Sequence, residues 1–183
     1  SIDAPFNTLV AASSGIVYGL ALQTNGSVVI VGSFTKYNGI TANRVARILP
    51  NGNLDASFIT GSAANGVVEE VQIQPDGKIV LAGSFDSFNG ISKNKIIRLN
   101  TDGSADTSFV IGSGFNAGVS ALVLQPDGKI IAGGDFVTYN GIIANKIVRL
   151  NIDGSIDVSF VSGLGFNGGV VEVIKLNSAG AVM

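Results

Sequence analysis

The chain writes one segment three times. LQTNGSVVIVGSF at 22–34, IQPDGKIVLAGSF at 73–85 and LQPDGKIIAGGDF at 124–136 begin 51 residues apart. The longer stretches 73–109 and 124–160 agree at 23 of 37 positions, and 22–58 joins them in the same frame without a gap. No other feature restricts the fold as much. A unit of roughly 20–50 residues cannot bury its apolar face alone and has to stack on its neighbours.

The recurring positions define the frame. Gly26, Gly77 and Gly128 are followed by Phe34, Phe85 and Phe136, then by Asn38-Gly39, Asn89-Gly90 and Asn140-Gly141. Arg47, Arg98 and Arg149 come next, then Asp55, Asp106 and Asp157, then Phe58, Phe109 and Phe160. The frame gives full units at 7–58, 59–109 and 110–160, with partial units at 1–6 and 161–183. SIDAPF at the start matches SIDVSF at 155–160, and LNSAGAVM at the end matches the start of a hairpin after one inserted residue. On this reading the chain is a stretch of a longer array, or one of several copies that assemble.

Inside a unit the signals are strand and turn. Val68–Gln74 alternates weakly, and Pro75-Asp76-Gly77 is a tight hairpin in which Gly supplies the positive φ. Lys78–Phe85 is the returning strand, 86–94 a loop containing Asn89-Gly90, and Lys95–Asn100 a third strand. Asp102-Gly103 turns the chain into a short fourth strand, Ser104–Phe109. No stretch of useful length has a 3.6-residue period. Strands such as IVLAG and KIIRL are apolar on both faces, so each sheet must lie between two others. The expected fold is all-β and propeller-like: about three and a half four-stranded blades of 51 residues, open or part of a larger ring. A β-solenoid is the alternative, although its coils usually repeat at shorter periods.

Composition narrows the chemistry. There is no Cys and no His, which removes disulfides, thiolate chemistry, the usual structural zinc sites and His-dependent triads. With 11 Lys and Arg scattered singly and a net charge of −2, no basic stripe exists for nucleic acid. Gly, Asn, Asp and Ser interrupt every apolar run before the ~18 residues a membrane helix needs.

The pattern QPDGKI-(V/I)-x-x-G-x-F, a loop with Asn-Gly, then K-I-(I/V)-R-L-N-x-D-G-S-x-D-x-S-F resembles the delta-60 repeat family. The resemblance covers nearly the whole chain. The first unit departs from it, with Thr24-Asn25 in place of Pro-Asp and Leu49-Pro50-Asn51 in place of Asn-x-Asp. Such repeats occur in tandem in large bacterial surface or secreted proteins and in phage structural proteins. The resemblance implies a propeller-like β-structure and no catalytic residue.

Four constellations have a functional and a structural reading. Arg98 and Asp106 flank a hairpin turn at nearly equal distances, as do Arg47 with Asp55 and Arg149 with Asp157; a cross-strand ladder is the preferred reading over a ligand site. Asn100, Asp102 and Asp106, with Asn151, Asp153 and Asp157, place oxygens at alternate positions as calcium loops do, but Asp-Gly also simply makes a turn. The rings Phe34 and Tyr37, Phe85 and Phe88, Phe136 and Tyr139 could stack on sugars, but their recurrence in every unit makes plugging the gaps between blades the preferred reading. GSGFNAG at 112–118 and GLGFNGG at 163–169 lack the following helix that a phosphate cradle needs. Glu69, Glu70 and Glu172 are the only glutamates, and no nucleophile–base pair is visible.

The expectation is therefore a non-enzymatic structural or interaction module. It would belong to an extracellular surface protein or a virion appendage of the tail-fibre type. Its partners would be other copies of itself or further repeats, with no firm cofactor. A carbohydrate-binding propeller using the loop aromatics, with calcium as a support and a cell-surface glycan as partner, is the competing expectation.

Overall fold

The computed structural model describes residues 15–182; the partial unit expected at 1–6 lies outside them. Each unit begins with an antiparallel hairpin. In the second unit β6 (Val68–Ile73) turns into β7 (Ile79–Gly83). The Gly77 N–H donates to the Gln74 carbonyl at 2.8 Å, and the Gln74 N–H donates to the Lys78 carbonyl at 2.8 Å. Asp76 Oδ1 accepts from the Lys78 N–H at 3.1 Å. Gly77 sits at φ 83°, where an L side chain is strained. The first unit makes the same turn with Thr24-Asn25-Gly26: Asn25 Oδ1 takes the Ser27 N–H at 3.0 Å. Its departure from the repeat pattern thus leaves the geometry in place, because Asn and Asp offer the same acceptor oxygen.

The third strand completes each sheet: β1 (Val17–Leu22), β2 (Val28–Gly32) and β5 (Val45–Ile48) in the first unit, then β6, β7 and β10 (Ile96–Leu99), then β11 (Val119–Leu124), β12 (Ile130–Gly134) and β15 (Ile147–Leu150). In every unit the second strand is central and all pairing is antiparallel. The first strand bulges near its start, between Val68 and Glu70 in the second unit. The bulge brings its backbone against Gly83, where any Cβ would strike the Val67 carbonyl.

Two expectations change. The segment expected as a loop carries its own small hairpin: β3 (Lys36–Tyr37) with β4 (Ile40–Thr41), β8 (Ser87–Phe88) with β9 (Ile91–Ser92), and β13 (Thr138–Tyr139) with β14 (Ile142–Ile143). Asn89 and Gly90 have φ of 51° and 73°, both positive, as the favoured two-residue hairpin turn demands. The fourth strand shrinks to a single bridge, Leu99 with Ala105 in the second unit. The cause is local. Asp106 Oδ1 accepts from both the backbone N–H and the hydroxyl of Ser108, at 2.9 and 2.7 Å, which bends the chain off the sheet.

The sheets stack face to face. Val29, Val31 and Val45 of the first unit pack on Val71, Leu81 and Ile97 of the second. Val80, Ala82 and Ile96 on the opposite face of the second unit pack on Leu122, Ile130 and Val148 of the third. The third in turn presents Ala121, Ile131 and Ile147 to Val171, Ile174 and Leu176. All five residues of β7 are buried, and so are all five of β12. This explains why those strands are apolar on both faces, and each fully buried Leu or Ile contributes about 1.5–3 kcal/mol.

The stacking makes one position informative. Leu20, Val71 and Leu122 are equivalent, yet Leu20 is 66% exposed while Val71 and Leu122 are 3% and 5% exposed. Leu122→Ala is therefore expected to cost about 2–5 kcal/mol, whereas Leu20→Ala stays within about 0.5 kcal/mol. Urea unfolding midpoints, taken at concentrations where the chain is a single copy, check this, and equal losses at the two positions would contradict the stacking described.

Candidate functional site

The polar side chains that recur from unit to unit converge where neighbouring units meet. Arg98 projects from β10, and its Nε donates to Asp106 Oδ2 at 2.7 Å. Lys78, at the start of the returning strand, reaches the same oxygen at 2.9 Å. Arg98 Nη2 donates to Ser108 Oγ at 3.2 Å and Nη1 to Gln74 Oε1 at 3.3 Å, and Nη1 also donates to the Ile152 carbonyl of the following unit. The guanidinium carbon lies 4.7 Å from the centroid of the Phe109 ring. All of the charged atoms are paired, which is the condition for burying them.

The same joint occurs in each unit, with graded completeness. Arg47 binds Asp55 at 2.7 Å and donates to the Thr101 carbonyl of the second unit, but Ser27 stands where Lys78 and Lys129 stand. Arg149 binds Asp157 at 2.7 Å, and Lys129 binds the same carboxylate at 2.7 Å. Among the described residues Arg149 Nη1 meets no carbonyl of a following unit. The backbone adds a tie where the chain enters each unit: the Ile59 N–H donates to the Asp102 carbonyl and the Val110 N–H to the Asp153 carbonyl, both at 2.7 Å.

Burial pushes the Asp106 carboxyl upward, but hydrogen bonds from Lys78, Ser108 and Arg98 outweigh it and hold the group well below the usual carboxylate range. At Asp157 the bonds from Lys129 and Ser159 dominate over burial, with Arg149 adding to them. Asp55 is also lowered, burial being overcome by Ser57 and Arg47. The role of the lysine was missed in the sequence. Its signal was there, since Lys78 and Lys129 recur two residues after the turn Asp while the first unit has Ser27.

The candidate ligand residues fall into other places. Phe34, Phe85, Phe88, Phe136 and Tyr139 are buried, at 0–1% exposure. Phe115 from the linker lies 4.4 Å from Phe136 and 4.5 Å from Tyr139 by ring centroids. The Tyr139 hydroxyl donates to the Gly154 carbonyl at 2.6 Å, and burial raises its pKa. Tyr37 is half-buried, with its hydroxyl on the Gly52 carbonyl. Rings at that exposure have no face to offer a sugar, and the contacts they make are packing contacts between turn and hairpin.

The calcium candidates are held in turns. Asp102 Oδ1 accepts from the Ser104 N–H and hydroxyl, Asp153 does the same with Ser155, and Asn100 and Asn151 donate to those serine hydroxyls. Asp106 and Asp157 point their second oxygens at Arg and Lys instead. Among the described residues no three acidic side chains group as metal ligands do. Glu69 and Glu70 lie on β6 beside its bulge, with Tyr18 and Ser120 around a hollow of about 450 Å³. Burial, with Glu69 beside it, raises the Glu70 carboxyl.

Stacked antiparallel sheets of this kind define a β-propeller-type repeat protein. The chain belongs to the β-propeller family described as a domain of unknown function, DUF5122, whose pattern matches residues 23–58, 74–109 and 125–160, more than half of the sequence. No curated protein matches the chain significantly. Among solved structures it is similar to a catalytically inactive variant of virginiamycin B lyase from Staphylococcus aureus with quinupristin, at TM-score 0.54 and 17% identity, covering 94% of this chain and 50% of that one. It is also similar to the extracellular domain of a protein assigned as a one-component system of B. thetaiotaomicron, at TM-score 0.50 and 12% identity, covering 91% of this chain and 20% of that one. These likenesses show the fold alone. The chain spans about half the length of the lyase.

Arg98→Ala leaves Lys78 as the one charged partner of buried Asp106 and is expected to cost about 3 kcal/mol. Arg149→Ala, which loses no bond to a following unit, should cost less. The pH dependence follows from the lowered carboxyls. Their stabilisation is full above the unfolded Asp value of about 3.9 and is lost as pH falls below it. Wild-type urea midpoints should drop steadily below about pH 4 and less steeply in Arg98→Ala; a midpoint that stays flat on acidification would contradict the joint's role.

Proposed function

We propose that the chain is a non-enzymatic structural or interaction module. The observation that carries the reading is the use made of the recurring polar side chains. Arg47 and Arg98 each reach a carbonyl of the next unit, the Asp, Ser, Lys and Gln around them hold the arginines in place, and the recurring aromatics pack behind the hairpins. Residues kept from unit to unit are thus accounted for by assembly of the stack. Propeller folds also carry enzymes, the virginiamycin B lyase among them, so the fold does not decide the matter. The resemblance to delta-60 repeats supports an extracellular setting, either a bacterial surface protein or a virion appendage such as a tail fibre. No helix among the described residues is long and apolar enough to cross a membrane.

The test is calorimetric titration of the chain with neutral and acidic polysaccharides, with and without calcium, alongside a turnover assay on quinupristin, which the similar lyase structure contains. The expected result is no saturable heat and no turnover. Saturable binding that disappears in Tyr37→Ala, or turnover that disappears in Glu70→Gln, would overturn the reading.

A further inference from the structure

Among the described residues one sheet face has no cover, and the repeat itself shows what fits it. The face of the first unit that carries Leu20 and Leu22 leaves them 66% and 69% exposed. The equivalent face of the second unit lies under the first unit, and that of the third lies under the second. Two contacts characterise the first-strand part of those covers. Gly19 lies against Val71, a Cβ on it coming 3.6 Å from Val71 Cγ1. Gln72 Nε2 donates to the Leu122 carbonyl of the following unit at 3.2 Å.

The other end of the chain carries the counterparts. Leu176 bridges to Val182 as Leu124 pairs with Ile130 in the third unit, which sets the register of the last stretch. In that register Ile174 and Leu176 correspond to Leu122 and Leu124 and pack on the third unit. Val173 then corresponds to Gly19, and Lys175 to Gln72. Val173 is 68% exposed on the side of this stretch away from the third unit, and Lys175 is exposed beside it.

We infer that the Leu20–Leu22 face receives the Val173–Lys175 segment of a second copy of this chain. Val173 of one copy lies on Leu20 of the other, and Lys175 donates to the Leu20 carbonyl where Gln72 donates to that of Leu122. Such a contact is head-to-tail, and a head-to-tail contact either closes or runs on. Length favours closure at two copies, because one chain covers half of a lyase chain of the same fold. Two identical joints then complete the ring. The inference rests on the interaction-module reading and names the partner.

Light scattering and native mass spectrometry of the 183-residue chain, across low to high micromolar concentration, test it. The wild type should form a species of about twice 18.6 kDa. Leu20→Glu and Val173→Glu alter exposed side chains, so each should keep the wild-type far-ultraviolet spectrum yet stay monomeric. A mixture of the two variants should regain a dimer, since the intact tail of one meets the intact head of the other. A wild type that remains monomeric, a dimer that survives both substitutions, or a mixture that stays monomeric would each overturn the docking. A monomer that also neither binds glycan nor turns over substrate would overturn the docking alone and leave the module reading standing.

Discussion

A sheet that is apolar on both faces needs a neighbour on each side, and in this chain that requirement organises everything else. The central strands β7 and β12 have no exposed residue. Their burial is complete only because the unit before and the unit after lie on them. Close stacking in turn explains the small residues along the contact. Gly19 opens space for Val71, and Gly83 and Gly134 let the bulged first strand press on the central one.

Stacking apolar faces is non-directional and would tolerate sliding. The charged joint supplies direction. One guanidinium holds the carboxylate of its own hairpin, lies on a Phe ring and reaches a carbonyl of the next unit, so the units cannot shift without breaking bonds to buried charge. Removing part of such a network is expensive, which is a reason for the same Arg, Asp and Ser to stand in all three units. The graded versions show how much variation the scheme tolerates: the first unit dispenses with the lysine, and its Asp55 is held by Arg47 and Ser57.

The sequence made the architecture legible for a physical reason. Short apolar strands and Asp-Gly turns are local signals, and the 51-residue frame repeats them, which was enough to place the main strands of each unit. The errors arose where one side chain competes with the backbone. Ser104–Phe109 reads as a strand by pattern, but Asp106 captures the Ser108 N–H and ends the pairing after one bridge. The 86–94 segment reads as a loop because its strands are two residues long, too short for alternation to register. The joint was half legible: Arg98 and Asp106 could be paired across a turn, whereas the Ile152 carbonyl comes from a neighbouring unit and has no side-chain signature. Burial of Phe85 and Tyr139 agrees with the packing role that their recurrence in every unit favoured, whereas their contact with a linker ring has no signal beside Asn-Gly.

Hydrogen exchange at the central strands tests the central claim, that each unit is stabilised by its neighbours rather than by itself. The account predicts slow exchange in Ile79–Gly83 and Ile130–Gly134, which are covered on both faces, and distinctly faster exchange in Val28–Gly32, covered on one. The comparison is made at concentrations where the chain is a single copy. Equal protection in the three strands would mean that the units are stable on their own and would contradict it.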